Sequence, residues 1–238
     1  MRRCVVLSAF VFWGLTSALP AAEQEEFYYR LPDDGVWCRY FVNLNIAGVE
    51  TASPWVISSV GRKDLGGEKC RWIELKQLSE DSKKTLRVFK ALVPENAFGK
   101  GKDPTAEVRA AWGQEGDAAP RELSVDGELD TFNRFVMLVL RGPTKNIKTL
   151  DTTESIDWQK GKLKCGVITG ESSFESDNGE LQAQLTHRLL INDEIPFLLA
   201  GSRFHIDVQV LGQNVKAGAE FSLVETGTDA KSVLPNID

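Results

Sequence analysis

The sequence predicts an α+β fold, a mainly antiparallel, curved, half-barrel-like sheet packed on one or two helices. Three observations predict it. From Val36 the residues alternate: Val36, Cys38, Tyr40, Val42, Leu44 and Ile46 fall on one side, and Trp37, Arg39, Phe41, Asn43 and Asn45 on the other, the period of a half-buried strand. Gly66-Gly67 separates two strand-like runs, 55–60 and 68–78, as a hairpin turn does. Leu129, Phe132, Phe135, Val136, Val139 and Leu140 recur at helical spacing, and Arg141-Gly142-Pro143 closes them with a cation, a C-cap residue and a breaker. The unbroken apolar run 135–140 leaves a buried strand as the rival assignment there.

The chain opens with a leader. Residues 1–22 place Arg2 and Arg3 before an apolar run that is too short to span a bilayer, then small residues and an abrupt acidic stretch at Glu23. This is a secretory signal pattern, so the mature protein is expected outside the cytoplasm, periplasmic or secreted, and not membrane-spanning. Residues 23–238 carry no linker-like break and are read as a single β-rich domain.

Along that domain, 85–93 reads as a short strand ended by Pro94. Asp103-Pro104 reads as a helix start and Trp112-Gly113 as its stop, enclosing a short helix. The last third returns to strands at 162–174, 180–192, 196–200, 203–211 and 217–226. Asp177-Asn178-Gly179 and Gly212-Gln213-Asn214 supply turns between them.

Composition narrows the function. Against 28 Lys and Arg stand 34 Asp and Glu, a net charge of −6, which argues against a nucleic-acid partner. Two histidines and four cysteines leave little material for a metal site, and neither a metal nor a cofactor is expected. No Gly-x-Ser-x-Gly elbow is present, since Gly170-Glu171-Ser172-Ser173-Phe174 lacks the second glycine; there is no Cys-x-x-Cys pair and no His-Glu-x-x-His. Gly99-Lys100-Gly101-Lys102 lacks phosphate-loop spacing, so no catalytic residue is assigned.

Of the two histidines, His187 alternates with Leu185, Leu189 and Ile191 and is expected packed on the apolar side. His205 shares its side with Arg203, Asp207 and Gln209 and is expected at solvent or in a groove, the better placed of the two for chemistry. In an oxidising compartment Cys38 and Cys70 are the expected disulfide pair, the alternative being three buried thiols with Cys165. Trp37, Phe41 and Trp72 put large apolar groups on both faces of the sheet, which core packing alone explains if loops and helices cover both; the alternative is that one face lines a groove for a ligand.

With Gly35-Val36-Trp37-Cys38-Arg39-Tyr40, the strand Cys70-Arg71-Trp72-Ile73-Glu74-Leu75-Lys76, the Pro196-Phe197 turn and the tail from Thr228 to Pro235, most of the mature chain resembles a group of uncharacterised exported bacterial β-rich proteins. That group is distantly similar to LolA-like and LolB-like lipoprotein-carrier half-barrels. The resemblance implies a curved antiparallel sheet around helices and an apolar cavity; it assigns no binding residue. The carriers open with a helix, whereas here a short acidic and aromatic run, 23–31, precedes the first strand.

The expected function is therefore that of an exported, non-enzymatic envelope protein binding an apolar ligand (a lipid or lipoprotein) or a partner protein. The alternatives are a structural or scaffolding envelope component and an envelope hydrolase using His205 with an acidic partner.

Overall fold

A computed structural model of the chain describes residues 30–99, 104–123, 142–175, 181–210 and 213–234. They form one sheet of eleven strands: β1 (Trp37–Ile46), β2 (Val49–Leu65), β3 (Glu68–Leu78), β4 (Thr85–Pro94), β5 (Ala110–Glu115), β6 (Arg121–Glu122), β7 (Lys145–Trp158), β8 (Gly161–Glu175), β9 (Leu181–Ile191), β10 (Leu199–Val210) and β11 (Gln213–Gly227). The order across the sheet is β6-β5-β4-β3-β2-β1-β11-β10-β9-β8-β7. Each neighbouring pair is antiparallel, and joining β1 to β11 places the first and last strands at the middle of the sheet.

The α+β expectation is corrected by this arrangement. Among the described residues there is no α-helix, only two 3₁₀ turns, Glu95–Ala97 and Pro104–Glu107, so the class is all-β. Pro104 does open a turn, Pro104–Glu107, but the expected helix stops there, and Asp103 lies outside the described residues. Ala110 and Trp112 instead pair with Leu92 and Lys90 of β4, and Trp112 packs against the cluster of Val60, Cys70, Trp72 and Leu92. Ladder bonds and burial along a long sheet outweigh a local helix signal. The helical-period run 129–140, the leader and the Asp177-Asn178-Gly179 turn lie outside the described residues.

Other elements follow the sequence closely. Gly66 and Gly67, both at positive φ, make the β2–β3 turn. The expected strand at 203–211 is found as β10, which begins at Leu199 and shifts register between Leu199 and Gly201, whereas Pro196, Phe197 and Leu198 of the expected strand at 196–200 form a turn.

The register sets one apolar face. Val42 of β1 opposes Phe221 of β11, which opposes Ser202 of β10; Leu44, Ala219, Phe204 and His187 form the next row. The sheet curls: at the β7–β8 turn, the Gln159 backbone N–H donates to Val224 O at 2.9 Å and its side-chain amide to Thr226 O at 3.1 Å, reaching β11 past three intervening strands. One core consequently joins Cys38, Tyr40 and Val42 to Cys165 and Val167, with Ile195 and Phe197 of the β9–β10 loop filling its end. Tyr40 donates its hydroxyl to Leu199 O at 2.8 Å, tying β1 to that loop.

After β11 the chain turns at Gly227, where a Cβ would stand 2.5 Å from the Trp37 ring. It then crosses the β2–β3–β4 face, where Leu234 is buried.

Candidate functional site

The apolar face carries a short polar stripe, Ser172, His187 and Ser202, of which the sequence pattern placed only His187. Phe204 and Phe221 stack at 5.9 Å between ring centroids, and His187 lies 6.3 Å from Phe204. The His187 Nε2 is 2.6 Å from Ser172 Oγ on β8. Its other nitrogen, Nδ1, is buried without a hydrogen-bond partner, and so is Ser202 Oγ on β10, one row away. Whichever tautomer His187 adopts, Nδ1 presents one unmet donor or acceptor. Buried polar atoms are nearly always bonded, and an orphan costs of order 1–3 kcal/mol, so two side by side in an apolar face call for a partner.

Burial pushes the His187 pKa down to about 4, so the ring is neutral at pH 7. With no carboxylate on Nδ1 to orient and stabilise an imidazolium, the Ser172–His187 pair lacks the third member of an activated nucleophile. It can donate and accept hydrogen bonds. The sequence places His187 correctly on the apolar side; Ser172, met there as part of a failed nucleophile motif, is its partner.

His205 occupies the opposite, polar face. Two cross-strand rows, Ala52–Asn43–Glu220–Arg203 and Glu50–Asn45–Gly218–His205, floor an open groove of about 1000 Å³ that Glu80 also lines. Gly218 makes room for the imidazole: a Cβ there would meet His205 Nδ1 at 3.4 Å. Arg203 Nε holds Glu220 at 2.9 Å, so the carboxylate diagonal to His205 is already committed, and His205 itself makes no hydrogen bond or ion pair among the described residues. The expected exposure of His205 is found, whereas an acid–base partner set around it is not.

Cys38 and Cys70 are free, buried thiols, as is Cys165. Cys38 sits on the face of Ile57 and Leu75, whereas Cys70 alternates to the other face with Trp72 and Glu74. Cys70 is also five residues along β3 from Leu75, roughly 16 Å at the rise of a strand, and a disulfide requires Cα atoms within about 7 Å. The pairing expected from the sequence is therefore not made. Burial pushes the Cys38 thiol up to about 11 and raises those of Cys70 and Cys165. Among the described residues no three His, Cys, Asp or Glu side chains gather as a metal site. No helix among them is long and apolar enough to cross a membrane.

The molecule is thus a curled, all-β sheet with an apolar, serine- and histidine-striped face and a polar grooved one. No family model matches the chain, and no curated protein matches it. Solved structures do. A hypothetical protein from Chlamydia trachomatis is 13% identical with a TM-score of 0.42, over 87% of this chain and 93% of that one. A candidate exported protein with a YmcC-like fold from Bacteroides fragilis is 11% identical with a TM-score of 0.37, over 84% and 99%. A candidate outer-membrane lipoprotein-sorting domain from Vibrio parahaemolyticus is 8% identical with a TM-score of 0.32, over 81% and 84%. A candidate exported protein and a candidate lipoprotein-sorting domain, the kinds of protein named in the expected distant similarity, are thus among the structures it is similar to.

Proposed function

We propose that the chain is an exported envelope protein that holds an amphiphile, a lipid or the acylated end of a lipoprotein, against its apolar face. The observation that carries this reading is the pair of unmet buried polar atoms, His187 Nδ1 and Ser202 Oγ, set beside Phe204 and Phe221. Phe204 and Phe221 are themselves buried, so an acyl chain reaches them by parting the packing around them, and an ester carbonyl or hydroxyl at its head matches the two orphans. A neutral His187 with no acid behind it suits holding rather than hydrolysis. The leader supports export, and the net charge of −6 suits a partner other than nucleic acid.

The test is to purify the protein from envelope fractions and analyse an organic extract by mass spectrometry, beside Ser202→Ala and His187→Leu variants. An acyl-bearing species that co-purifies with the native chain and falls several-fold in both variants is expected. Equal recovery from all three, or none from the native chain, overturns the proposal.

A second reading places a protein partner in the polar groove, favoured by its mixed lining of Glu50, Glu80, Lys216, Arg203 and Glu220. A photo-crosslinker at Asn45 that captures no envelope protein in living cells would remove it.

A further inference from the structure

The segment after Gly227 does not join the sheet as a strand; side chains and a backbone hydrogen bond hold it. Trp37 Nε1 donates to Asp229 Oδ1 at 2.8 Å, and the Ala230 N–H to Gly35 O at 2.8 Å. Gly35 allows this approach, since a Cβ there would stand 2.9 Å from Thr228 O. Beyond Ala230 the anchor is Glu74, fully buried in mid-β3. Its carboxylate accepts from Ser232 Oγ at 2.7 Å, from the Val233 N–H at 3.2 Å and from the Leu234 N–H at 3.5 Å. Opposite it on β4, Lys90 donates to Leu234 O at 3.3 Å, with its ammonium 4.9 Å from the centroid of Trp72. The Leu234 side chain, 2% exposed, completes the seat, while Val233 beside it is 53% exposed.

This is the chemistry of peptide recognition. A buried acid reads successive backbone N–H groups, a buried base reads a carbonyl, and an apolar anchor is enclosed between them. An open recess of about 680 Å³, lined by Asp34, Val60, Gly61 and residues 230–234, adjoins the seat. Nothing in the recognition of Ser232, Val233 and Leu234 requires them to belong to the same chain, because their contacts are to Glu74 and Lys90 of β3 and β4; Asp229 and Ala230, beside Trp37 and Gly35, are what continues from the β1–β11 ladder. A segment that can be exchanged without loss of any contact is the usual route to a swapped dimer.

We propose that the Trp72–Glu74–Lys90 recess is a peptide-docking site for the segment ending at Leu234, filled within one chain in the monomer and by the tail of a second copy in a dimer. Each copy then contributes Leu234 to the other's site. The reading is independent of what the apolar face holds.

The test uses the full chain with a photo-crosslinking residue at Val233. Isotopically heavy and light populations are mixed, incubated from micromolar to millimolar concentration, irradiated and mapped by mass spectrometry. Heavy–light crosslinks between position 233 and β3 or β4, growing in share with concentration and lost in a Leu234→Asp variant, are expected. Only same-chain crosslinks at every concentration, or a dimer that persists unchanged in Leu234→Asp, overturns the proposal. The Leu234→Asp change lies outside the sheet. Should that variant fail to fold, Ser232→Ala, which removes one of the three donors to Glu74, is expected to lower the heavy–light share several-fold, and an unchanged share overturns the proposal.

Discussion

Arg71 and Glu95 form a forked pair at the mouth of the β3–β4 hairpin: Nε and Nη2 of the guanidinium donate to Glu95 Oε1 at 3.2 and 2.8 Å. The third nitrogen, Nη1, donates to Pro32 O at 2.9 Å and to Ser59 Oγ at 2.7 Å. Arg71 is 3% exposed, so it is a buried cation whose charge and donors are met on every side. It ties the segment before β1, the bulge in β2 and the 3₁₀ turn after β4 to one point.

Replacing it by methionine removes the buried donor from Pro32 O and Ser59 Oγ and leaves Glu95 only the longer contact with Arg62 at 3.7 Å. The expected loss is about 3 kcal/mol in urea denaturation. Arg71→Lys is expected to recover little, because an ammonium cannot make the fork. A loss within experimental error for Arg71→Met would contradict this role.

The buried thiols give a chemical prediction. With a protonated Cys38 at about 11 and raised values for Cys70 and Cys165, the native protein should resist alkylation at pH 8. Unfolded without reductant, Cys38, Cys70 and Cys165 should each take up one alkyl group, read as the mass shift. Retention of unlabelled Cys38 and Cys70 would indicate a disulfide.

His187 makes stability depend on pH with a definite sign. Its folded pKa, about 4, lies below the ordinary 6.5, so the unfolded chain binds more protons between these values. Stability is fully present above pH 6.5 and falls as the pH drops towards 4. The cost at pH 4.5 is roughly 2–3 kcal/mol relative to pH 7. His187→Leu should flatten this part of the stability profile; parallel profiles for the two proteins would exclude the assignment.

Gly170 is a packing position. A Cβ there would stand 2.5 Å from Pro143 Cβ and 2.9 Å from Lys145 O, the latter a backbone atom that cannot swing away. Gly170→Ala should therefore lower stability by about 2–3 kcal/mol, as overpacking does, with the loss appearing as a shifted urea midpoint. A change under about 0.5 kcal/mol would mean that the 142–145 segment is free to shift.

Much of the sheet is legible in the sequence wherever one face is buried and the other wet. The alternation of β1 and the glycine pair after Leu65 placed those elements to within a residue. β7 left only a short trace: its Lys145–Trp158 run is mostly polar and exposed, carries two register breaks and pairs on one side only, so period two survives only at its end, where Glu154, Ile156 and Trp158 are half-buried. Trp112 misled for the opposite reason, since alanines beside it favour a helix until β4 offers a ladder. The Ser172–His187 contact joins two strands through their register, and the seat of Leu234 joins residues 160 apart; neither distance is written in any local pattern.

The polarity of β7 has a further consequence. A row of open sheet has two rims, and bare rims recruit other chains into fibres. Among the described residues one rim, β6, is two residues long, and the other, β7, carries Lys145, Lys148, Asp151, Glu154 and Asp157 at every third position and is broken twice in its spacing. Both rims are thus poor templates, which suits a protein with so long a sheet to a crowded compartment where stray strand pairing would be irreversible.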